Sequence, residues 1–153
     1  MDFTKIKVSK QRIHLEYTDR KDDNYSDYSL DSPDDALLSF SQSIKVLRED
    51  YLKLLELPTD SEYLERVDIH TINIAYKGAS MDRSVIISAN IRTSTGSYNV
   101  NSPLKALDLA EDNSVSVEFN QRIRKVINEA QKFLDGHRIQ GNLFELNTKV
   151  ANG

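Results

Sequence analysis

Apolar and polar residues alternate along the first eighteen positions of the chain. Two short runs carry the alternation, and their apolar members are Phe3, Ile6, Val8, Ile13, Leu15 and Tyr17. A period of two places such residues on one face of a strand, so the pattern predicts two strands joined as a hairpin. The acidic stretch that follows, residues 19–31, has only Tyr25, Tyr28 and Leu30 as anchors. It predicts a surface loop that continues briefly as an edge strand.

A helix is predicted after this loop. Ser32 can cap the free amides, Pro33 suits the first helical position, and Asp34 and Asp35 meet the positive end of the helix dipole. Apolar residues then recur at steps of three and four, at Leu37, Phe40, Ile44, Leu47, Tyr51, Leu54 and Leu55. This stripe predicts one helix of about six turns that Pro58 ends.

The middle of the chain has the pattern of further strands. Val67 and Ile69 share one strand face, whereas Ile72 and Ile74 have the opposite parity. A β-bulge at residues 70–71 would return both pairs to the core face, because it adds one residue to the strand. The remaining predictions are turns at 77–82 and 93–97, strands at 85–91 and 98–100, and a short helical turn over 101–109.

A second amphipathic helix is predicted to begin near Ser116. Its apolar stripe is Phe119, Ile123, Val126, Ile127, Ala130, Phe133 and Leu134. Gly136 suits the left-handed position that ends helices. The order ββαβββα with hairpin-length links predicts an α+β fold, an antiparallel sheet of four to five strands packed by two amphipathic helices. Residues 1–139 are expected to form a single domain, and residues 140–153 a C-terminal tail.

Composition narrows the class of protein. The chain has 153 residues, 39% of them apolar, with five glycines and three prolines, which excludes collagen-like and mostly disordered chains. No apolar run exceeds three residues, so neither a membrane span nor a secretory signal is predicted. The absence of cysteine fits a reducing cytosol, and the net charge of −4 argues against a general nucleic-acid binder.

The sequence has no motif of an enzyme, a cofactor site or a metal site. The histidines, His14, His70 and His137, have no second histidine three or four residues away, and thiolate ligands are absent. The acids of residues 19–35 lack the alternate spacing and closing glutamate of a calcium loop. No phosphate-binding loop or Gly-x-Ser-x-Gly turn occurs. We therefore expect no catalytic residue, no metal and no cofactor.

Cations gather on one polar face of the second helix. Arg122, Lys125 and Lys132 are the members of this face, and they are candidate phosphate contacts because ammonium and guanidinium groups donate to phosphate oxygens. The same spacing is typical of the solvated side of an amphipathic helix, with Glu118 and Glu129 interleaved. Contact with nucleic acid is expected to be absent or indirect.

Two large apolar residues follow the end of this helix, where no periodic element needs them. The pentapeptide Gln140-Gly141-Asn142-Leu143-Phe144 resembles the bacterial sliding-clamp-binding motif: Gln, two variable positions, Leu or Met, then Phe. The resemblance implies that Gln140 hydrogen-bonds at one subsite of the clamp while Leu143 and Phe144 fill an apolar pocket. Gly141 departs from the best-matching motifs, which have leucine there. The alternative is that the Leu-Phe pair folds back onto the helices.

Three segments resemble a family of small, uncharacterised phage and prophage proteins. These segments are residues 67–76, 101–103 and 133–144. In the last of them an aromatic residue is followed by an Asp-Gly helix end and then by the pattern Arg-x-Gln-Gly-x-Leu-Phe. The family pattern marks Gly136, Arg138, Gln140, Gly141, Leu143 and Phe144, whereas Ile139 departs from it. Such proteins often lie among early phage genes for replication and recombination, which agrees with a clamp-binding tail.

These observations favour a non-enzymatic accessory protein of phage or mobile-element DNA replication or recombination, in the cytoplasm of a bacterial host. Its C-terminal peptide would bind a host replication protein such as the sliding clamp, with Gln140, Leu143 and Phe144 as anchors and Arg138 at the rim. One alternative is an anti-defence or ligand-sequestering protein in which Tyr25 and Tyr28 line a pocket. Another is a structural module that forms a homodimer through an apolar sheet face.

Overall fold

Seven strands and four helices make up the part of the chain that the structure, a computed structural model, describes. The described residues are 1–9, 12–21, 24–33, 38–78, 82–107 and 117–136. The strands are β1 (Asp2–Ser9), β2 (Arg12–Lys21), β3 (Asn24–Ser32), β4 (Val67–Lys77), β5 (Asp82–Thr93), β6 (Gly96–Asn101) and β7 (Lys105–Ala106). The helices are α1 (Leu38–Lys45), α2 (Arg48–Leu54), α3 (Ser61–Glu65) and α4 (Val117–Leu134).

All strands belong to one antiparallel sheet. Six of them lie in the order β3-β2-β1-β4-β5-β6, and β7 pairs with the stretch of β5 that β6 does not reach. The predicted α+β class with an antiparallel sheet is confirmed. The described residues nevertheless hold seven strands and four helices, where the pattern predicts four to five strands and two helices.

The described part of the acidic segment is strand rather than surface loop: residues 19–21 end β2, and residues 24–31 belong to the edge strand β3. β3 pairs with β2 from Ile13↔Ser32 to Lys21↔Asn24. An edge strand needs few buried positions, and in β3 only Ser32 is buried and only Leu30 is half-buried. The polar composition therefore does not reveal this strand, because β3 is defined by its backbone pairing with β2.

The first predicted helix is divided into α1 and α2. Between them lies one tighter turn of the 3₁₀ type, in which the N–H of Leu47 donates to the Ile44 carbonyl (3.0 Å). The buried Ser43 hydroxyl donates to the Phe40 carbonyl (2.6 Å), a type of bond that bends helices. The prediction of one continuous helix is wrong, because this turn separates α1 from α2.

α2 ends before Pro58, which the sequence predicts as the stop. Glu56 has a left-handed φ of 58°. Its N–H donates to the Lys53 carbonyl (3.1 Å), and the N–H of Leu57 donates to the Leu52 carbonyl (2.9 Å). This pair of bonds is the Schellman motif, which satisfies the last carbonyls of a helix.

Two short elements differ from the sequence prediction. α3 begins after Asp60, whose carboxylate accepts a hydrogen bond from the Tyr63 N–H (2.8 Å). β7 lies within residues 101–109, where a helical turn is predicted, and pairs with β5 instead. Each element is too short for a period of either kind to be recognised.

The predicted β-bulge is confirmed. The register of β4 against β5 shifts between Ile69 and Thr71, so His70 is the extra residue. Val67 before the shift and Ile72 after it are both buried in the core. The bulge therefore keeps one face of β4 apolar along its length.

The core lies between the helices and one face of the sheet. α1 packs on α4 through Phe40 and Phe133, whose ring centroids are 6.0 Å apart. Tyr51 on α2 reaches β6, where its hydroxyl donates to the Val100 carbonyl (2.7 Å). The predicted α4 stripe is confirmed, with Phe119, Ile123, Val126, Ala130 and Phe133 buried. Gly136 has the predicted left-handed conformation, with a φ of 100°.

Candidate functional site

The sheet face opposite the helices, called the outer face, is polar. Side chains alternate between the two faces of a strand. Ile6 and Leu15 are buried on the helix side, so their strand neighbours lie on the outer face. On β1 to β3 these residues include Lys5, Lys7, Ser9, Arg12, His14, Glu16 and Asp31. The apolar sheet face expected for a homodimer is therefore not found on this part of the described chain.

A cleft of about 510 Å³ opens on the outer face at one end of β1 and β2. It is lined by Lys5, Lys7, Ser9, Arg12, His14 and Asp31, and we call it the cationic cleft. Antiparallel pairing brings these residues together: Lys7 opposes His14, Ser9 opposes Arg12, and His14 also opposes Asp31 on β3. Opposed residues have Cβ atoms about 5 Å apart, so their polar groups share one space.

Carboxylates pair with two of the three permanent cations of the cleft. The Arg12 Nε lies 3.1 Å from Asp31 Oδ1, and the Lys5 Nζ lies 3.6 Å from Glu16 Oε2. Both pairs are exposed, so each contributes little to stability. Lys7 is also exposed, and it makes no ion pair with the residues that the structure describes. Its ammonium group is available to a ligand.

Sequence reasoning did not predict this cleft. His14 lies on the polar phase of the predicted hairpin, which by itself indicates only exposure to solvent. The useful signal is that Lys5, Lys7, Arg12 and His14 share that phase on adjacent strands. Recognising it requires the register of the hairpin, which sets the neighbours of each residue.

His70 lies on the bulge and bridges strands of the outer face. Its Nε2 is 2.8 Å from the Asn99 Oδ1 on β6, and its Nδ1 is 2.7 Å from the Thr71 Oγ1. Because an amide oxygen can only accept, Nε2 donates to Asn99, and Nδ1 shares a hydrogen bond with the Thr71 hydroxyl. β5 lies between β4 and β6, and its Ser88 is buried with Thr71. This contact ties three strands together.

The candidate phosphate contacts of α4 are engaged in ion pairs. Arg122 donates two hydrogen bonds of 2.7 Å to the two carboxylate oxygens of Asp50 on α2. These bonds raise the pKa of Arg122 above its usual value. Lys125 and Lys132 both approach the Glu129 carboxylate, at 3.0 Å and 3.3 Å. The two lysines thus share one carboxylate and Arg122 pairs with another, and phosphate binding by these residues stays a prediction.

Glu129 is the buried acid of α4. Burial alone would raise the pKa of its carboxyl, but hydrogen bonds from Lys125, Ser39 and Lys132 outweigh it, so the net shift is downward. Ser39 on α1 donates to Glu129 Oε2 at 2.9 Å. The ionised carboxylate therefore joins α1 to α4 from inside the helix layer.

The predicted tyrosine pocket is partly present. Tyr28 lines a shallow cleft of about 480 Å³ and stacks on Tyr17 with a centroid distance of 5.4 Å, whereas Tyr25 does not line it. The charged residues of this cleft are Glu16 and Asp27. An acidic lining does not suit a phosphorylated ligand.

The predicted partner-binding residues, Arg138, Gln140, Leu143 and Phe144, lie outside the described residues, and so does His137. The described chain stops just after α4, at Gly136. The N–H of Gly136 donates to the Phe133 carbonyl (3.1 Å), which closes the last turn of the helix. The left-handed conformation of Gly136 is the one that commonly ends a helix.

Within the described ranges, no cluster of three or more histidine or acidic side chains could hold a metal ion, and no helix has the length and hydropathy to cross a membrane. Comparison with known protein families, with curated proteins and with solved structures finds no match to this chain.

Proposed function

We propose that this protein is a non-enzymatic accessory protein of phage or mobile-element DNA replication or recombination, and that its C-terminal peptide binds a host protein of the sliding-clamp type. The Gln140–Phe144 pentapeptide is the observation that carries the proposal. Gln140 hydrogen-bonds at one subsite, Leu143 and Phe144 enter an apolar pocket, and Arg138 contacts the rim.

The physical chemistry of the peptide supports this role. Burying Leu143 and Phe144 contributes about 3–6 kcal/mol before the cost of ordering the chain. A short linear ligand of this kind is expected to bind with a micromolar Kd, about −8 kcal/mol. The end of α4 at Leu134 and the left-handed Gly136 also support it, because the helix ends before the motif begins.

Titration of the full chain with a purified bacterial sliding clamp, followed by calorimetry, tests the proposal. The wild-type chain is expected to bind with a Kd on the order of 10 μM. The double variant Leu143→Ala/Phe144→Ala should lose at least about tenfold in affinity, because both anchors are removed. Asn142→Ala is the matched control, since it changes a variable position of the same peptide and should bind as the wild type does.

Urea unfolding of the same variants separates a binding peptide from a packed one. If the Leu-Phe pair folds onto the helices, the double variant lowers the free energy of unfolding by about 3–6 kcal/mol. The proposal requires a change below about 0.5 kcal/mol together with loss of clamp binding. A wild-type chain that does not bind the clamp, or a double variant that still binds it, would overturn the proposal.

A further inference from the structure

Lys7 has no acidic residue opposite it to balance its charge, unlike Lys5, the other lysine of β1. Its neighbours across the sheet are His14 on β2 and Thr71 on β4, and neither carries negative charge. Lys5, on the same face, opposes Glu16 at 3.6 Å. Unlike charges on opposed residues stabilise a sheet and like charges destabilise it. The sheet therefore holds an unbalanced ammonium group beside the imidazole ring of His14.

Donors converge on this position from two strands. Lys5, Lys7, Arg12 and His14 line the cationic cleft, with Asp31 as the carboxylate among the described lining residues. Glu16 also lies close, because its Oε2 is 3.6 Å from the Lys5 Nζ and 3.7 Å from the His14 Nε2. Among the described residues three permanent cations therefore meet two carboxylates, which leaves a surplus of one positive charge, that of Lys7, in a protein whose net charge is −4. Such a surplus attracts an anion that can accept several hydrogen bonds at once.

We infer that the cationic cleft is a binding site for a small phosphorylated molecule, with Lys7 as its central donor. A phosphate group presents oxygens in several directions, which suits donors that arrive from two strands. The cleft volume of about 510 Å³ is that of a small-molecule site.

Single-stranded nucleic acid is the other phosphate ligand to compare. Sites for it combine cations with aromatic side chains on which bases stack. Among the described residues that line the cationic cleft there is no Phe, Tyr or Trp, and the net charge of −4 disfavours a long polyanion. The small ligand is therefore the better fit. The inference does not depend on the C-terminal peptide, and it gives the ligand-sequestering alternative a chemical class of ligand.

Titration of the ¹⁵N-labelled full chain with inorganic phosphate and with ribose 5-phosphate, at constant ionic strength, tests the inference by NMR. Both probes are expected to cause saturable shifts in the amides of β1 and β2. Lys7→Ala should weaken binding about tenfold, the effect of removing one charge-assisted contact. Lys77→Ala is the matched control, because Lys77 is an exposed lysine at the far end of β4 and should leave binding unchanged.

Arg12→Gln provides a second variant on an exposed side chain and should also weaken binding. The inference is overturned if phosphate causes no saturable shift, if chloride causes the same shift, or if Lys77→Ala weakens binding as much as Lys7→Ala. Tighter binding of a single-stranded oligonucleotide than of ribose 5-phosphate would overturn it in favour of nucleic acid. The Leu143→Ala/Phe144→Ala variant should bind phosphate normally, which separates failure of this inference from failure of the clamp proposal.

Discussion

Glu56 holds a backbone conformation that residues with a Cβ rarely adopt. Its φ of 58° belongs to the left-handed region, where a non-glycine residue costs about 1–2 kcal/mol. The two hydrogen bonds that close α2 require this conformation, so the chain accepts the strain in order to end the helix. Glycine is the residue that most often occupies such a position, because it has no Cβ.

Glu56→Gly is therefore expected to stabilise the protein. The free energy of unfolding should rise by about 0.5–1 kcal/mol, since the relief of strain exceeds the added freedom of the unfolded chain. Urea unfolding measures the change. Glu49→Gly, the same substitution within α2, should lower the free energy of unfolding by about 1 kcal/mol. Changes of the same sign in the two variants would contradict the explanation.

Glu129 is expected to make stability depend on pH. Its pKa is lower in the folded chain than in the unfolded one. The stabilisation is therefore complete above about pH 4.3, the pKa of an unfolded glutamate, and is lost as the pH falls through the folded-state value. Glu129→Gln should lower the free energy of unfolding by about 2 kcal/mol at neutral pH, and the difference from wild type should shrink in acid.

Denaturant unfolding over a series of pH values measures this difference. Glu118→Gln is the control, because Glu118 lies on an exposed part of the same helix and should change stability by less than about 0.5 kcal/mol. A difference between wild type and Glu129→Gln that stays constant into acid would show that the charge of Glu129 is not what stabilises the helix pair.

At the scale of elements, α2 and α4 are joined by the bidentate pair of Asp50 and Arg122. A double-mutant cycle with Asp50→Asn and Arg122→Gln should give a coupling energy of about 1–2 kcal/mol, modest because the arginine side chain is 35% exposed. The exposed pair of Glu49 and Lys53 should give only about 0.3–0.5 kcal/mol in the same kind of cycle. Additive effects of the two substitutions would show that the pair does not couple the helices.

Elements with a long and regular apolar pattern could be predicted from the sequence. Elements that depend on hydrogen bonds to a neighbouring element could not. The stripe of α4 and the parity change at His70 each record burial on one face, so they predict the helix and the bulge correctly. β3 has almost no buried face, and its existence depends on the backbone of β2. The division between α1 and α2 lies at a single tighter turn, where the N–H of Leu47 donates to the Ile44 carbonyl, and it leaves the apolar stripe unchanged.

At the scale of the whole molecule, the two faces of the sheet differ in how far the sequence predicts them. The face under the helices is specified by apolar periodicity, and its core members could be chosen from the sequence. The cationic cleft on the outer face depends instead on which polar residues become neighbours, such as Lys7 and His14. Polar periodicity does not specify which residues oppose each other, so the cleft can be located only from the register of β1 and β2.

The strand order also has a consequence for how the chain folds. β1 to β3 form one meander and β4 to β6 another, and each contains only pairings between strands adjacent in sequence. The two halves meet where β1 pairs with β4, over Lys5↔Asn73 to Lys7↔Thr71, with the Tyr76 hydroxyl donating to the Phe3 carbonyl at 2.8 Å. Local hairpins close small loops, whereas this junction must close the whole intervening chain. We expect the meanders to form early and the junction to limit the folding rate, so Lys7 reaches Thr71 only in the final stage of assembly.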